Sequence, residues 1–563
     1  IFNAARGQRM AVHEAASSCS GRGRLKATAV AAALAGLALP AQISLAQIAG
    51  DPSAPAHQRP VVVTAPNGVP LVNIQTPSAG GVSRNTYRQF DVNGQGAILN
   101  NSTAQTQTQL GGWVQGNPYL ARGPARIILN QVNSANPSQL RGYVEVAGPR
   151  AEVIIANPAG IQVNGGGFIN ASRATLTTGL PQFGTAGSLE GFLVRGGTVS
   201  VEGAGLDARS TDYTAILARA VQVNAGIWAN DLKVVAGANQ VSADAGSVTP
   251  TAGSGAAPAF ALDVAQLGGM YAGKITLIGT EAGVGVRNAG HIGAGAGGLV
   301  VTADGRLENT ATGTLTSPRV QVRSATSNID NHGTIEAQSI ELASSTDIVN
   351  RGTIRQTGAA SLTLQAPHLS NTQGGVIGAE PMANPSSGGA QGGPGGGAPG
   401  TTPNSGSNEG ATGGTSQGTG TSSGETGGGV TPQSPPAAPI VPGQIEAGGT
   451  IRNDGGHIYS GDVKLQTPNI DNSGGTLSVG ELQVSGPRFS NAGGMLLVSR
   501  GFNANVDQFD NRGGYLRAGN IDIQASSDVH NGDGQLRSEG DIRIATAATL
   551  QSCGTITAAR HLN

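Results

Sequence analysis

The stretch IDNSGGTLSVGELQVSGPRFSNAGGML, residues 470–496, contains two copies of one short pattern. In each copy an Asn is followed by a Gly-containing turn, and an apolar residue then opens a second run of alternating residues. Ten copies occur from about residue 284 onward, with their asparagines at Asn288, Asn309, Asn331, Asn350, Asn371, Asn453, Asn472, Asn491, Asn511 and Asn531. Apart from one jump, from Asn371 to Asn453, successive asparagines are 19 to 22 residues apart.

A period near 20 with two or three short strands per repeat predicts an all-β fold, a right-handed parallel β-helix or solenoid. Each repeat would form one coil, and each coil would add a rung about 4.8 Å tall. We expect the asparagines to stack at one corner and to hydrogen-bond from rung to rung. We attribute the presence of Asn and Gly there to their tolerance of left-handed backbone conformations.

The composition favours the same architecture. The chain has 563 residues, of which 90 are Gly, 12% are charged and only 3% are aromatic, so any core must be thin. Repeated thin layers meet that condition better than one thick globule. The formal charge of -1 gives no electrostatic footprint for nucleic acid, and we expect no nucleic-acid partner.

The first 46 residues have the organisation of a secretory signal peptide. Basic residues precede an apolar run over 27–41, and Ser44 and Ala46 form a small-residue cleavage pattern before Gln47. The run is shorter than the roughly 20 apolar residues that span a bilayer. We therefore expect export, with Cys19 removed and Cys553 left as a single thiol without an internal disulfide.

The mature chain is expected to divide into four parts. Residues 47–280 contain short β-branched runs separated by Gly, Pro and Asn, and residues 284–378 and 444–563 contain the repeats. Between them, residues 379–443 are rich in Gly, Ser, Thr and Pro, and we expect a disordered insert. It would be either a loop extruded from one continuous solenoid or a linker between two. The last repeat stops in mid-coil without a cap, so we expect either the front part of a longer protein or the product of a broken reading frame.

The sequence offers no catalytic, cofactor-binding or metal-binding site. GAGAGG at 293–298 fits a dinucleotide-binding pattern, but a strand follows it where a helix is required. GTSQG at 414–418 fits a nucleophile pattern but lies in the predicted insert. A β-helical polysaccharide-degrading enzyme is the serious enzymatic alternative. Asp330, Asp471 and Asp510 share one repeat position, but Glu308, Arg452 and Ser490 stand at it elsewhere, so we predict no enzyme.

Residues 67–240 carry a more specific set of motifs. PNGVPLVNIQTPSAGGVSRNTYRQFDV begins at residue 66, Asn117-Pro118-Tyr119-Leu120 follows, then Asn157-Pro158-Ala159-Gly160, and VVAGAN ends at residue 239. In this order they resemble the secretion domain of two-partner-secretion exoproteins. That family includes filamentous haemagglutinin-type adhesins and contact-dependent inhibition toxins. Its two diagnostic tetrapeptides are Asn-Pro-Asn-Leu and Asn-Pro-Asn-Gly, so this chain departs at Tyr119 and Ala159.

The resemblance implies a capped N-terminal β-helix that a partner outer-membrane β-barrel, a TpsB-type transporter, recognises through its periplasmic domains. It implies secretion to the surface of a Gram-negative bacterium by a Sec signal peptide and the periplasm. Two functions remain open on this basis. The first is a filamentous adhesin that contacts host-cell or bacterial surface receptors. The second is the N-terminal stalk of a contact-dependent growth inhibition protein that carries its toxin elsewhere.

Overall fold

The computed structural model describes residues 47–357, 362–378 and 443–563, and two short strands near the N-terminus, Phe2–Asn3 and Gln8–Arg9, which pair antiparallel. Ala46–Asn563 is one compact unit, and Ile1–Leu45 is another. The larger unit is nearly all β, a parallel β-solenoid of about 17 turns. The all-β solenoid prediction is confirmed. Within the described ranges, no helix is long and apolar enough to cross a membrane.

The coils stack into three columns of parallel strands, each strand pairing with its counterpart in the next coil. The first column contains Val82–Phe90, Ile127–Val132, Ala151–Ala156, Ala171–Thr177, Tyr213–Ala218, Asp231–Ala236 and Ile542–Thr546. The second contains Ser138–Leu140, Ile161–Val163, Thr198–Val201, Ala220–Val223, Phe260–Val264, Gly285–Asn288, Leu307–Asn309, Ile329–Asn331, Asp347–Asn350, Asn469–Asp471, Val529–His530 and Leu550–Gln551. The third contains Pro70–Asn73, Ala97–Asn100, Tyr143–Ala147, Gly166–Ile169, Leu206–Ala208, Gly226–Ala229, Thr353–Gln356, Val376–Gly378, Gln535–Ser538 and Thr555–Ala558.

Longer strands bend from one column into the next. Those that run from the third column into the first are Gly269–Gly279, His291–Ala303, Thr314–Ser324, Thr334–Ser344, His457–Thr467 and Tyr515–Ala525. Thr476–Ser490 and Met495–Asp510 run through all three columns, from the third through the first into the second. Leu362–Asn371 and Gln444–Arg452 run from the first column into the second. The GAGAGG stretch lies inside His291–Ala303, which agrees with its rejection as a dinucleotide-binding loop.

The N-terminal part adds antiparallel elements around this solenoid. Ile48–Gly50 pairs with the first-column strand Val82–Phe90, and Val61–Thr64 pairs with Pro70–Asn73 of the third column. The remaining elements are a hairpin of Thr106–Thr108 and Gly112–Val114, a sheet of Leu180–Phe183, Leu189–Val194, Asn239–Ser242 and Val248–Pro250, and two short 3-10 turns, Ala56–Gln58 and Thr185–Gly187.

Alternate residues of every column point inward and form one continuous apolar core. The core is thin, as the composition predicted, and its largest side chains in the repeats are three buried phenylalanines. The Phe489 and Phe509 rings stack with centroids 4.6 Å apart, and the Phe502 ring lies 5.2 Å from that of Phe489. Aromatic rings therefore fill the core of two successive coils, on the strands Thr476–Ser490 and Met495–Asp510.

The four-stranded antiparallel sheet covers the outward face of the first column. Phe192 of that sheet is buried in a second apolar cluster with outward residues of the column, including Ile154 and Ala156. Ile155 points the other way, into the solenoid core. Because the strand Ala151–Ala156 is buried on both faces, it has consecutive apolar residues instead of simple alternation.

The solenoid continues in register across the predicted insert. Leu364, before the insert, pairs with Ile445 after it, and Ile377 pairs with Ile458. The strands on either side therefore belong to one stack of coils. The insert at 379–443 itself, apart from Gly443, lies outside the described residues, and so does the signal peptide region 1–46 apart from the strands Phe2–Asn3 and Gln8–Arg9.

The reason we gave for Asn at the repeat corner was wrong. None of the ten asparagines has a positive φ, whereas Gly455, Gly474, Gly493 and Gly513 do, two residues after an Asn. The next glycine has a different role, since a Cβ at Gly494 would lie 2.1 Å from the Asn472 carbonyl oxygen of the preceding coil. The asparagines are selected by their side chains, and the glycines by a turn and by close contact between rungs.

Candidate functional site

The tetrapeptide at 157–160 forms a tight corner between a first-column strand and a second-column strand. Gly160 N–H donates to the Asn157 carbonyl (3.0 Å) and closes the turn. The Asn157 side chain is fully buried, its Oδ1 accepts from Ala159 N–H (2.9 Å), and its Nδ2 donates to the Asn136 carbonyl (2.9 Å) and to Ser138 Oγ (3.0 Å). One side chain therefore shapes its own turn and fastens it to the preceding coil.

The tetrapeptide at 117–120 has the same turn. Leu120 N–H donates to the Asn117 carbonyl (3.2 Å), and Asn117 Oδ1 accepts from Tyr119 N–H (3.0 Å). Asn117 Nδ2 donates to the carbonyls of Ile74 and Asn100, each at 2.9 Å. These carbonyls lie at the ends of two third-column strands, so this corner is also fastened to the solenoid.

The two corners divide their residues in the same way. The asparagines and the fourth residues, Leu120 and Gly160, are buried, whereas the second and third residues reach the surface. Pro118 is exposed, and Pro158 and Ala159 are half-buried. A partner that approaches the folded domain can contact the middle of each tetrapeptide but not its asparagine. The positions at which this chain departs from the family's usual Asn, Tyr119 and Ala159, are in the accessible half.

A hairpin that the sequence analysis missed leads into the 117–120 corner. It carries Trp113, which is 60% exposed, and its turn is held by Glu145. The two Glu145 carboxylate oxygens accept from the backbone N–H groups of Gln109 (2.6 Å) and Leu110 (2.8 Å). The Gly-Gly pair at 111–112, between the polar run Thr106–Gln109 and the apolar Trp113, was the available signal for this turn.

The ten repeat asparagines form an unbroken chain of hydrogen bonds. Each Nδ2 donates to the Oδ1 of the next asparagine at 2.7–2.9 Å, and the step from Asn371 to Asn453 crosses the insert at 2.7 Å. Asn531 donates to Ser552 Oγ (3.1 Å) in the last coil. All ten are buried, so this ladder stabilises the coils and is closed to a ligand.

The residues before these asparagines do not form a carboxylate row. The strand register places Glu308 beside Asp330, and Asp471 between Arg452 and Ser490, as the repeat alignment predicted. Among the described residues, no group of three or more His, Cys, Asp or Glu side chains could hold a metal ion.

One polar cluster lies near the hairpin. Arg209 forms a bidentate pair with Asp207 (2.9 and 2.8 Å) and lowers the pKa of that carboxyl to about 2. Tyr143 OH donates to Asp207 Oδ2 (2.9 Å), which also accepts from Arg209, and this bond raises the pKa of Tyr143. Each group of this cluster already has a partner within the coil stack, so we assign it to structure.

The chain is similar in sequence to known proteins. A family model described as the TPS secretion domain matches residues 46–309. Toxin CdiA of Yersinia pestis is 52% identical over 353 residues, which cover 60% of this chain and 10% of that protein. The tRNA nuclease CdiA-2 of Burkholderia pseudomallei is 48% identical over 326 residues, which cover 54% of this chain and 10% of that protein. The matched segments thus span about a tenth of the length of these relatives.

A solved structure is also similar. It is a crystal structure of a filamentous hemagglutinin secretion domain, 33% identical, with a TM-score of 0.43, and the match covers 53% of this chain and 96% of that chain.

Proposed function

Because this chain is a two-partner-secretion exoprotein whose TPS secretion domain spans residues 46–309, we propose that its two Asn-Pro corners are the recognition elements for its transporter. Proteins with this domain are secreted across the outer membrane, and the domain implies a TpsB transporter as partner. The matched region is a secretion region and not a catalytic one. The finer proposal is that the transporter's periplasmic domains bind around residues 117–120 and 157–160 after a signal peptide at 1–46 has directed the chain to the periplasm.

The observation that carries this proposal is the repeated corner geometry. Two tetrapeptides that lie 40 residues apart adopt one turn, with a buried asparagine and an accessible centre. A corner needs only a turn-forming residue, whereas these two share Asn-Pro and the same bond from the third residue's N–H to the Asn Oδ1. The buried asparagine would fix the shape, and the exposed proline and third residue would make the contact.

Two kinds of substitution test whether the transporter recognises the accessible centre of the corner or depends only on its buried asparagine. Replacing Asn157 by Ala removes three side-chain hydrogen bonds and is expected to cost about 1–3 kcal/mol locally. Replacing Ala159 by Lys changes only the accessible half. Each full chain would be expressed with its cognate transporter, and the fractions in medium and periplasm measured by immunoblot. We expect both variants to remain in the periplasm.

The matched control is Ala204→Lys, an exposed alanine in another turn of the same domain. This variant should be secreted like the native chain. Normal export of the Asn157→Ala, Pro158→Ala double variant would refute recognition at this corner. Loss of export for Asn157→Ala alone, with Ala159→Lys exported normally, would show that only the fold of the corner matters.

Outside the cell, we propose that the solenoid acts as a filamentous adhesin. An extended stack with a thin core projects far from the surface for its mass, and its outward residues are free to vary between coils. The test is adherence of bacteria that express the whole natural protein, with and without residues 284–563, to host cells and to neighbouring bacteria. Unchanged adherence after the deletion would refute a contact role for these coils.

A second function, toxin delivery, is favoured by the names of the relatives. The similar proteins of Yersinia pestis and Burkholderia pseudomallei are named as a toxin and a tRNA nuclease. In this case residues 46–563 would be the export and stalk region of a delivery protein. Co-culture with unprotected target bacteria distinguishes the two functions, because delivery predicts contact-dependent growth inhibition and adhesion alone does not.

A further inference from the structure

The strand Val61–Thr64 lies at an edge of the third column. It pairs antiparallel with Pro70–Asn73, and within the described residues no strand pairs with its other side. Ala65 N–H donates to the Val69 carbonyl (2.8 Å) at the turn between the two strands. Antiparallel bonding alternates, so Val63 and Val61 face Pro70–Asn73 with their backbone groups. The N–H and carbonyl groups of Val62 and Thr64 therefore point to the open side.

This edge lacks the protection that most exposed edges have. Edge strands are usually guarded by Lys, Pro or a bulge, yet this strand reads Val-Val-Val-Thr. Val61 is 39% and Val63 is 41% exposed on its outward face, whereas Val62 packs against the core on the inward face. The strand is thus held in place by its inward face while its backbone edge and two valines remain accessible.

Val63 is the last residue of a row of side chains that crosses the third column on its outward face. The rest of this row is covered. Across the strands, Val63 is beside Leu71, Leu71 is beside Ile98, and Ile98 is beside Glu145. Leu71 and Ile98 are buried together with Val114 of the hairpin. The cover stops before Val63, so the apolar row continues to the edge of the sheet and ends there exposed.

The same strands anchor the 117–120 corner. Pro70–Asn73 leads directly to Ile74, whose carbonyl accepts from Asn117 Nδ2, and Thr76 Oγ1 donates to the Tyr119 carbonyl (2.7 Å). The open edge is therefore one strand away from a proposed recognition corner. A partner that contacts the corner is positioned to contact the edge.

We propose that Val61–Thr64 is a strand-addition site, occupied during export by an extended, alternating apolar segment of the transporter's periplasmic domain. The inference rests on the proposed function. Backbone bonds to Val62 and Thr64 supply affinity, and contact with Val61 and Val63 supplies register. A second copy of the chain is a poor occupant, since pairing two four-residue edges buries on the order of a few hundred Å², against about 1,200 Å² for a stable interface. A short edge suits a partner that must release the chain.

The test measures binding of the full chain to the purified periplasmic domains of its transporter, by biolayer interferometry. Val61→Glu combined with Val63→Glu places charges on the open face, and we expect affinity to fall at least about tenfold. Thr64→Pro removes one outward N–H without breaking an internal ladder bond, and one lost hydrogen bond corresponds to about three- to tenfold. Thr64→Ser keeps that N–H, and Leu180→Glu charges a residue that is 47% exposed on another sheet. Both controls should bind like the native chain.

Each outcome decides a different point. Absence of binding by the native chain would overturn the proposed function itself. Native binding that is equal in all variants would overturn strand addition and leave transporter recognition at the corners standing. A native dimer in light scattering that the Thr64→Pro variant loses would assign the edge to a second copy. Circular dichroism identifies any variant that fails to fold, and Thr64→Pro and the double Glu variant test the edge independently.

Discussion

Replacing Asn472 by Asp changes one atom of the asparagine ladder. Asn472 is fully buried, and its Nδ2 donates to Asn491 Oδ1 (2.7 Å) and to the Met495 carbonyl (3.1 Å). Its Oδ1 accepts from Asn453 Nδ2 (2.7 Å). Aspartate keeps the accepting oxygen, but its second oxygen would face Asn491 Oδ1 and the carbonyls of Met495 and Gly475. The side chain keeps its shape, but it can no longer donate a hydrogen bond to the next asparagine of the ladder.

The expected destabilisation depends on pH. Loss of the two donated bonds costs about 2–3 kcal/mol, and an ionised, unpaired carboxylate in this position costs about 3–5 kcal/mol. Burial beside acceptors raises the pKa of the new carboxyl above its unfolded value of about 3.9, so the folded state binds more protons than the unfolded state. The free energy of unfolding then falls as pH rises through the folded pKa. The variant should be closest to the native chain near pH 4, where the protonated carboxyl can donate a hydrogen bond to Asn491 Oδ1.

The assay is denaturant unfolding of the full chain from pH 4 to pH 8, with hydrogen exchange to localise the effect. In a stack of coils the loss should appear in the altered coil and its neighbours. Asn503→Asp is the matched control, because Asn503 is exposed on the adjoining coil and should change stability by less than about 0.5 kcal/mol. Equal stability of the two variants, or a stability of Asn472→Asp that rises with pH, would refute the ladder argument.

The same contacts support four further predictions. Gly494→Ala should destabilise the chain by about 2–4 kcal/mol, because the new Cβ would lie 2.1 Å from a carbonyl oxygen of the preceding coil. Gly493→Ala should cost only about 1–2 kcal/mol, because Gly493 has a φ of 63° but open space around it. Thermal unfolding of the two variants measures the difference. Phe509→Ala should cost about 3–5 kcal/mol in urea titration, since it empties a stacked aromatic site. Asp207→Asn should be less stable than the native chain at pH 7, and the difference should vanish as pH falls towards 2, because the low pKa of Asp207 stabilises the fold only while it is ionised. Deleting 385–440 should leave the β signal in circular dichroism intact, because the strands on both sides already pair.

The sequence alone was sufficient for the repeat and its register. Asn occurs once per coil because each coil needs one side chain that both donates and accepts along the stack, and this requirement repeats with the period of the fold. Residues 117–120 and 157–160 were identified through the family resemblance of their motifs, and each forms a local Asn-Pro turn that its own residues determine. Local interactions that recur in every coil can therefore be recognised in the amino-acid sequence.

Only the tertiary structure determined which atoms of these residues are buried and which are accessible. Only the stacking of coils shows that Asn157 is buried while Ala159 is accessible, and that a Cβ at Gly494 would overlap the preceding rung. Only the folded hairpin and sheet show why Ile154 and Ile155 can both be apolar and why Val63 is left uncovered. The burial of a side chain, the contact between successive coils and the exposure of a strand edge each depend on residues that are far apart in the chain. They are set by how the strands pack against one another.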